Sequence, residues 1–512
     1  MNFSGIKDRL KSLYIIEFTL VIIGIILRIK LYLYNNSFFI DECTLGYNII
    51  TKKYFELFLP LDIYQSAPPL FLVISKFILD ISHQTGNIYT QDLALRVFPL
   101  CSSIVALPLF AIFLNKISNN KIFIWLCLAI LSLNHCAIEY GAQFKQYSTE
   151  LMFTLILLLT FFHFDINKLT KKTSIIYSII LCISIWLSNM SLVLLGTGAL
   201  YFSFKSFSKE YREDIKSNLR NLSIIGILFI LNAIIYYFCY FKGQINSETY
   251  AYMHHFWTNL IPGFFTLDNF SQIYTETLRE YIEINIIPLF QFTLFNVIIF
   301  FFVNKKFDLK TKFFIAVPIL ISIIACFLHI YPFSRKFTLF LIPLFLIVYF
   351  QFIYMIVENN FTKLLAIIIL AMMTITRFQL PISSVIFNKN PIRNTVDFII
   401  KNKIPANKVI FSSQKCNIYY YTSTIYSQEQ PLLYDIIWRP FKDSKIPQLI
   451  KDAQIGDYYI FAPFNDIYAD YNTNLIKCLN NKHIKILDTY SYKDYKNEEW
   501  FYIIHLKKIS NY

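Results

Sequence analysis

Glycine is scarce in this chain, 11 of 512 residues, and no Gly-rich phosphate loop occurs anywhere in it. Charge is thin as well. Only 16% of residues are Asp, Glu, Lys or Arg, against about a quarter in soluble domains, which excludes an ordinary soluble class. The nine cysteines are scattered without CxxC or metal-ligand spacing, so neither a disulfide scaffold nor a zinc site follows. Cys416 and Cys478 are candidates to pair only if the tail lies in an oxidising compartment. No internal repeat is evident. No cleavable signal is expected either, since the first apolar run is long and has no small-residue cleavage site.

What is present is apolar: 56% of residues are hydrophobic, 18% aromatic, and the mean hydropathy is +0.47. The composition is that of an integral membrane protein. A net charge of +14 raises the question of nucleic acid. That partner is rejected because the cations fall in short loops, where they set topology.

Apolar runs of roughly 17–25 residues predict about eleven spans, near 13–34, 93–114, 122–138, 148–165, 173–190, 191–207, 222–241, 286–303, 313–331, 337–356 and 361–380. The shorter run 69–82 is read as a juxtamembrane helix. Counting it as a span would turn every later basic loop outward, against the positive-inside rule. With the N-terminus inside, the first loop and the tail share the extracytoplasmic side. From about 381 long apolar runs stop, and "KVIFSS", "DYYIFAP", "IKILDTY" and "WFYIIHL" alternate with helix-like stretches. The expectation is a transmembrane domain over 1–380 and an extracytoplasmic α/β domain over 381–512.

Polar constellations gather on the expected outer face. Asp41 and Glu42 follow the first span; Asp41 either caps a surface helix or acts as a general base, and spacing alone leaves both readings open. In "DIYQSAPPLFL" (62–72) Gln65 precedes Pro68 and Pro69, which read first as a turn device. "EYGAQFKQYSTEL" (139–151) sets Glu139, Lys145, Gln146 and Tyr147 at headgroup level, where Lys145 either snorkels or holds a lipid phosphate. "HIYPFSRKF" (329–337) places Arg335 and Lys336 on the side where cations serve no topological purpose, so an anionic partner is expected. Arg28 and Lys30 show the same anomaly more weakly. His254 and His255 lie in an aromatic loop, as an interfacial anchor or as metal ligands with an acid of the first loop.

The order of an acid pair after span one, "QSAPPLFL", "LALRVFPL", "KQYS" and "YPFSRKFTLFLIPLFL" resembles that of the GT-C glycosyltransferases of the protein O-mannosyltransferase superfamily. Bacterial branches related to the aminoarabinose and galacturonic acid transferases of lipid A are the most similar. The resemblance covers roughly residues 10–380. It implies an inverting transfer, in a bacterial cytoplasmic membrane, from a polyprenyl-phosphate sugar to an extracytoplasmic lipid, glycan or protein acceptor. It places Asp41, with Glu42 beside it, at the catalytic centre. Lys145, Tyr147, Arg335 and Lys336 are then the candidates for the donor phosphate, and Gln65 and Glu139 for further substrate contacts. The pattern departs at Ser66 and Ala67, where aminoarabinose transferases carry an acid and a lysine before the prolines. No cofactor is therefore fixed, and a divalent metal remains an open option. The rival readings are a lipid-linked glycan flippase or transporter, which favours ionisable residues at the midplane, and an O-antigen polymerase or ligase.

Overall fold

The computed structural model describes residues 3–82, 88–252, 293–328, 330–332, 335–355, 358–383, 392–411, 420, 432–433, 455–463, 484–493 and 499–509. Eleven helices are labelled here in chain order: α1 (Phe3–Tyr34), α2 (Ile40–Thr51), α3 (Pro69–Ser82), α4 (Ile88–Ile117), α5 (Lys121–Leu133), α6 (His135–Gly141), α7 (Tyr147–His163), α8 (Lys171–Leu187), α9 (Ser191–Lys205), α10 (Lys209–Ser217) and α11 (Leu219–Tyr236). Further helical segments cover Leu309–Phe327, Ile342–Phe350, Asn360–Ser383 and Ile392–Lys401.

Side-chain caps explain several of the starts. Asn120, Asn134, Thr170, Ser208 and Asp308 each accept from the backbone N–H three residues on, satisfying one of the donors that a helix leaves unbonded at its N-terminus. Pro69 opens α3, where its missing N–H costs nothing. At 14 residues and about 1.5 Å per residue, α3 falls short of a hydrocarbon core about 30 Å thick.

Every span expected from the sequence falls mainly on helix over its described residues. Among those residues, three helices are long and apolar enough to cross a membrane: Tyr89–Ile117, Leu219–Ile245 and Leu309–Cys326. A fourth is added if α5 and α6, bent by 49° at Asn134, count as one broken span.

The chain divides into two compact units, one of 1–33, 53–75 and 96–382, the other of 34–52, 76–95 and 383–512. In the first, α5 is apolar all round and buried almost throughout, which places it inside the bundle. Trp125, Leu128, Leu155, Phe314, Phe345 and Leu346 belong to one continuous core. Close packing, rather than expulsion of water, is what holds such helices together in lipid. By contrast, only 6% of the apolar window of Leu219–Ile245 is buried, as suits a helix turned to lipid.

The second unit holds α2, the first turns of α4, helix Ile392–Lys401 and a five-stranded sheet. Its strands are β1 (Val409–Phe411), β2 (Leu432–Leu433), β3 (Gly456–Pro463), β4 (Ile484–Lys493) and β5 (Glu499–Lys508), in the order β2-β1-β3-β5-β4. β1 runs parallel to β2 and β3, while β5 is antiparallel to β3 and β4. The four β-rich runs of the sequence are β1, β3, β4 and β5. Tyr459 and His505 face each other in register and stack at 4.3 Å. The helix-like stretch 471–481, Cys416 and Cys478 lie outside the described residues.

Candidate active site

Within the first unit, two constellations far apart in sequence meet. Lys145 Nζ donates to Gln65 Oε1 at 2.8 Å, across 80 positions of chain, and both side chains are buried. Lys145 is only 6% exposed, so the snorkelling reading is wrong: the ammonium turns into the protein and not out to headgroups. The turn Ala142–Gln146 between α6 and α7 sets this direction, with the Lys145 N–H bonded to Gln143 O. Gln65 is one of the groups that hold the ammonium in this direction.

The loop carrying Gln65 is strained. Ile63 and Tyr64 both occupy the left-handed region, at φ 59° and 52°. For a β-branched residue such as Ile63 that conformation is a genuine outlier, and residues held there cost about 1–3 kcal/mol each and persist only where the surroundings impose them. The surroundings do so here. Tyr64 stacks on Tyr252 at 4.5 Å, and Tyr240 donates its hydroxyl to Ala67 O at 2.9 Å. Downstream, Phe71 stacks on Phe144 at 5.8 Å, next to Lys145 in sequence.

Tyr147 opens α7, buried, with its ring edge-on to Tyr140 and Phe337. Glu139 is half-buried on α6, where it accepts from Gln143 Nε2 at 3.0 Å and lies 3.7 Å from His135 Nδ1. Two buried atoms nearby, Gln146 Oε1 and Ser148 Oγ, have no hydrogen-bond partner among the described residues. Orphaned polar atoms of this kind are uncommon in native interiors. Lys336 is half-buried with Nζ 5.5 Å from the Phe337 ring centroid. The side chain of Arg335, and all of His254 and His255, lie outside the described residues.

The acid pair belongs to the second unit, at the start of α2. Phe39, not Asp41, is the N-cap, so Asp41 stands inside the first turn, too far in to cap, and the capping reading of it is corrected. Glu42 caps instead. Its Oε2 accepts from the Phe39 N–H at 3.0 Å, the reciprocal half of a capping box. Glu42 is 2% exposed, whereas Asp41 is half-exposed. Both carboxylates sit at the end of α2 that favours negative charge.

Arg28 requires a second correction. It is 0% exposed, and its acceptors among the described residues are neutral: Ser103 Oγ at 2.7 Å, Gly24 O at 3.0 Å, Ser132 O at 3.0 Å and Leu131 O at 3.1 Å. Leu131 and Ser132 end α5, whose last carbonyls have no partner within the helix. The guanidinium closes the helix break instead of meeting an anion. Gly24 makes this possible, since a Cβ there would stand 2.8 Å from Leu107 and 3.0 Å from Ser132. The break was readable in part, because Asn134 between two apolar stretches is an N-cap signal. No periodicity identifies Ser103 as the partner of Arg28. Among the described residues no three His, Cys, Asp or Glu side chains gather as a metal site.

No family model and no curated protein sequence matches the chain. Solved structures do. ArnT from Cupriavidus metallidurans in the apo state aligns with a TM-score of 0.50 at 8% identity, covering 97% of this chain and 98% of that one. The same protein bound to undecaprenyl phosphate gives 0.48 at 9% identity, over 95% and 97%. The Archaeoglobus fulgidus oligosaccharyltransferase, in a complex with Zn and sulfate, gives 0.48 at 10% identity, over 94% and 72%. At such identities the likeness is one of architecture, and it is carried by the first comparison. Together with the apolar helices, it makes this chain a helical membrane protein with the GT-C fold.

Proposed function

We propose that the protein is a membrane glycosyltransferase that moves a sugar from a polyprenyl-phosphate donor to an acceptor hydroxyl or amine on the extracytoplasmic side, with inversion. The observation that carries this reading is the buried Lys145–Gln65 contact within a chain of GT-C fold. A cation fixed in a dry setting suits a phosphate that gains negative charge as it leaves.

In the proposed reaction the acceptor atom attacks the anomeric carbon, and the bond from that carbon to the phosphate oxygen breaks. The electron pair departs with polyprenyl phosphate. Asp41 takes the acceptor's proton and later releases it to water. Lys145, oriented by Gln65, stabilises the leaving phosphate, assisted by Tyr147, Lys336 and Arg335. Glu42 shapes the first turn of α2, and Glu139 contacts substrate from α6. A divalent metal would find its ligands at His254 or His255 with an acid of the first loop, and no step here depends on it. The proposal places the chain in a bacterial cytoplasmic membrane, with residues 381–512 outside.

Mass spectrometry of envelope glycans from a deletion strain names the sugar and its acceptor. Membranes containing the protein and the labelled donor should then release polyprenyl phosphate and label the acceptor. Asp41→Asn, which carries no carboxylate, should lose about 100-fold or more in turnover with normal expression. Near-normal turnover of that variant would remove Asp41 from the chemistry. Donor translocated across the membrane without sugar transfer would replace the whole reading with a flippase.

A further inference from the structure

One side chain from the C-terminal part of the chain is built into the helix that bears the acids. Tyr420 is 0% exposed. Its hydroxyl donates to Asp92 Oδ1 at 2.7 Å, and Asp92, in the first turns of α4, is itself fully buried. Its ring stacks on Phe38 with centroids 5.1 Å apart and planes 25° apart. The same ring lies against Gly46, where a Cβ would come within 2.5 Å of it. Tyr420, Phe38, Gly46 and Asp92 all belong to the second unit.

These contacts bracket Asp41 and Glu42. Phe38 immediately precedes the Phe39 cap, whose N–H is held by Glu42, and Cys43 Sγ donates to Phe38 O at 3.6 Å. Gly46 lies about one turn beyond Glu42. A ring fixed at both points, with its hydroxyl tied to another helix, resists rotation of α2 about its axis and movement of its first turn. Rotation is the motion that would redirect Asp41. Gly46 is required because any side chain there would displace the ring.

We propose that Tyr420 is a positioning residue that sets the orientation of the first turn of α2, and through it of Asp41. The functional half rests on the reading of Asp41 as the base. Tyr420 would thus contribute to catalysis without touching substrate.

The test uses the full-length protein in detergent and in membranes. Cys43 is buried in the gripped turn, so alkylation by N-ethylmaleimide, followed by mass spectrometry of its peptide, reports release of that turn independently of activity. Tyr420→Ala should speed Cys43 labelling about tenfold or more, since local opening governs access. Gly46→Ala should do so to a smaller extent, and Tyr420→Phe, which keeps the ring, should stay within about threefold of wild type. In the transfer assay Tyr420→Ala should lower kcat about tenfold or more with donor KM within about twofold, as expected for a misaligned base, and Tyr420→Phe should restore most of kcat. Unchanged Cys43 labelling in Tyr420→Ala overturns the clamp. Faster labelling with unchanged kcat, or equal losses in Tyr420→Phe and Tyr420→Ala, overturns the positioning role. Absence of transfer by the wild-type protein overturns the glycosyltransferase reading and the catalytic half with it, while the labelling rates still decide the clamp.

Discussion

The break between α5 and α6 and the turn between α6 and α7 each bury a cation, and they do so in different ways. Arg28 places its guanidinium on three backbone carbonyls and a hydroxyl, and two of those carbonyls, Leu131 O and Ser132 O, are ones that the helix break leaves in need of donors. Lys145 reaches the side-chain oxygen of a residue 80 positions away, on a loop held in strained backbone. The first arrangement answers a need of the fold itself. The second joins the α6–α7 turn to a distant loop and satisfies no helix end, as the proposed phosphate role would require. Burial alone does not tell the two apart; substitution does.

The largest effect should come from Arg28→Met. Each buried carbonyl left without a donor costs about 1–3 kcal/mol, so the combined loss should reach about 3 kcal/mol or more and remove the monodisperse peak in detergent size exclusion. Wild-type yield and melting for that variant would break the contrast at its firmer end. Lys145→Met should do the opposite, leaving yield near normal while weakening binding of polyprenyl phosphate. A charge-assisted contact is worth roughly 1.5–3 kcal/mol, about tenfold or more in Kd, readable by titration with the lipid phosphate. Loss of folded Lys145→Met protein would place Lys145 beside Arg28.

Glu42 sharpens the comparison from the other unit, since its carboxylate also serves backbone. Glu42→Ala should cost about 1 kcal/mol of thermal stability, and Glu42→Gln, which still accepts from Phe39, only a few tenths. If Glu42→Gln keeps its stability and loses turnover to the extent that Asp41→Asn does, the carboxylate has a chemical role beyond capping. The smallest effect is expected at Lys168, whose ammonium meets Asp165 at 3.1 Å but is 84% exposed. Lys168→Ala should change melting by less than about 0.5 kcal/mol. A larger change would mean that pairing, rather than burial, decides what a cation costs in this protein.

The helices were legible because apolar runs in a chain this poor in charge have few alternatives. Each expected span falls mainly on helix, and Pro69 stands at a first-turn position as its chemistry requires. The acid pair, Gln65 and Lys145 were legible as candidates because polar residues flanking apolar runs are conspicuous. Their partners were not. Asp41 was a reasonable cap by residue type, but the helix already begins at Ile40, and the capping contact passed to Glu42. Arg28 looked like a cation awaiting an anion, because charge is visible in a sequence and free carbonyls are not. Contacts such as Tyr420 to Asp92 join residues 328 apart, and no local pattern encodes them.

Arg28 also sets an order of events during synthesis. Its acceptors Leu131 and Ser132 lie 103 and 104 residues downstream, so at about 5–20 residues per second the guanidinium emerges roughly 5–20 s before they do. Near the outer end of the expected span 13–34, the guanidinium has only acceptors of its own helix, such as Gly24 O, until α4 and α5 have been made. The bonds that close the helix break can therefore form only once the first five helices have all been made.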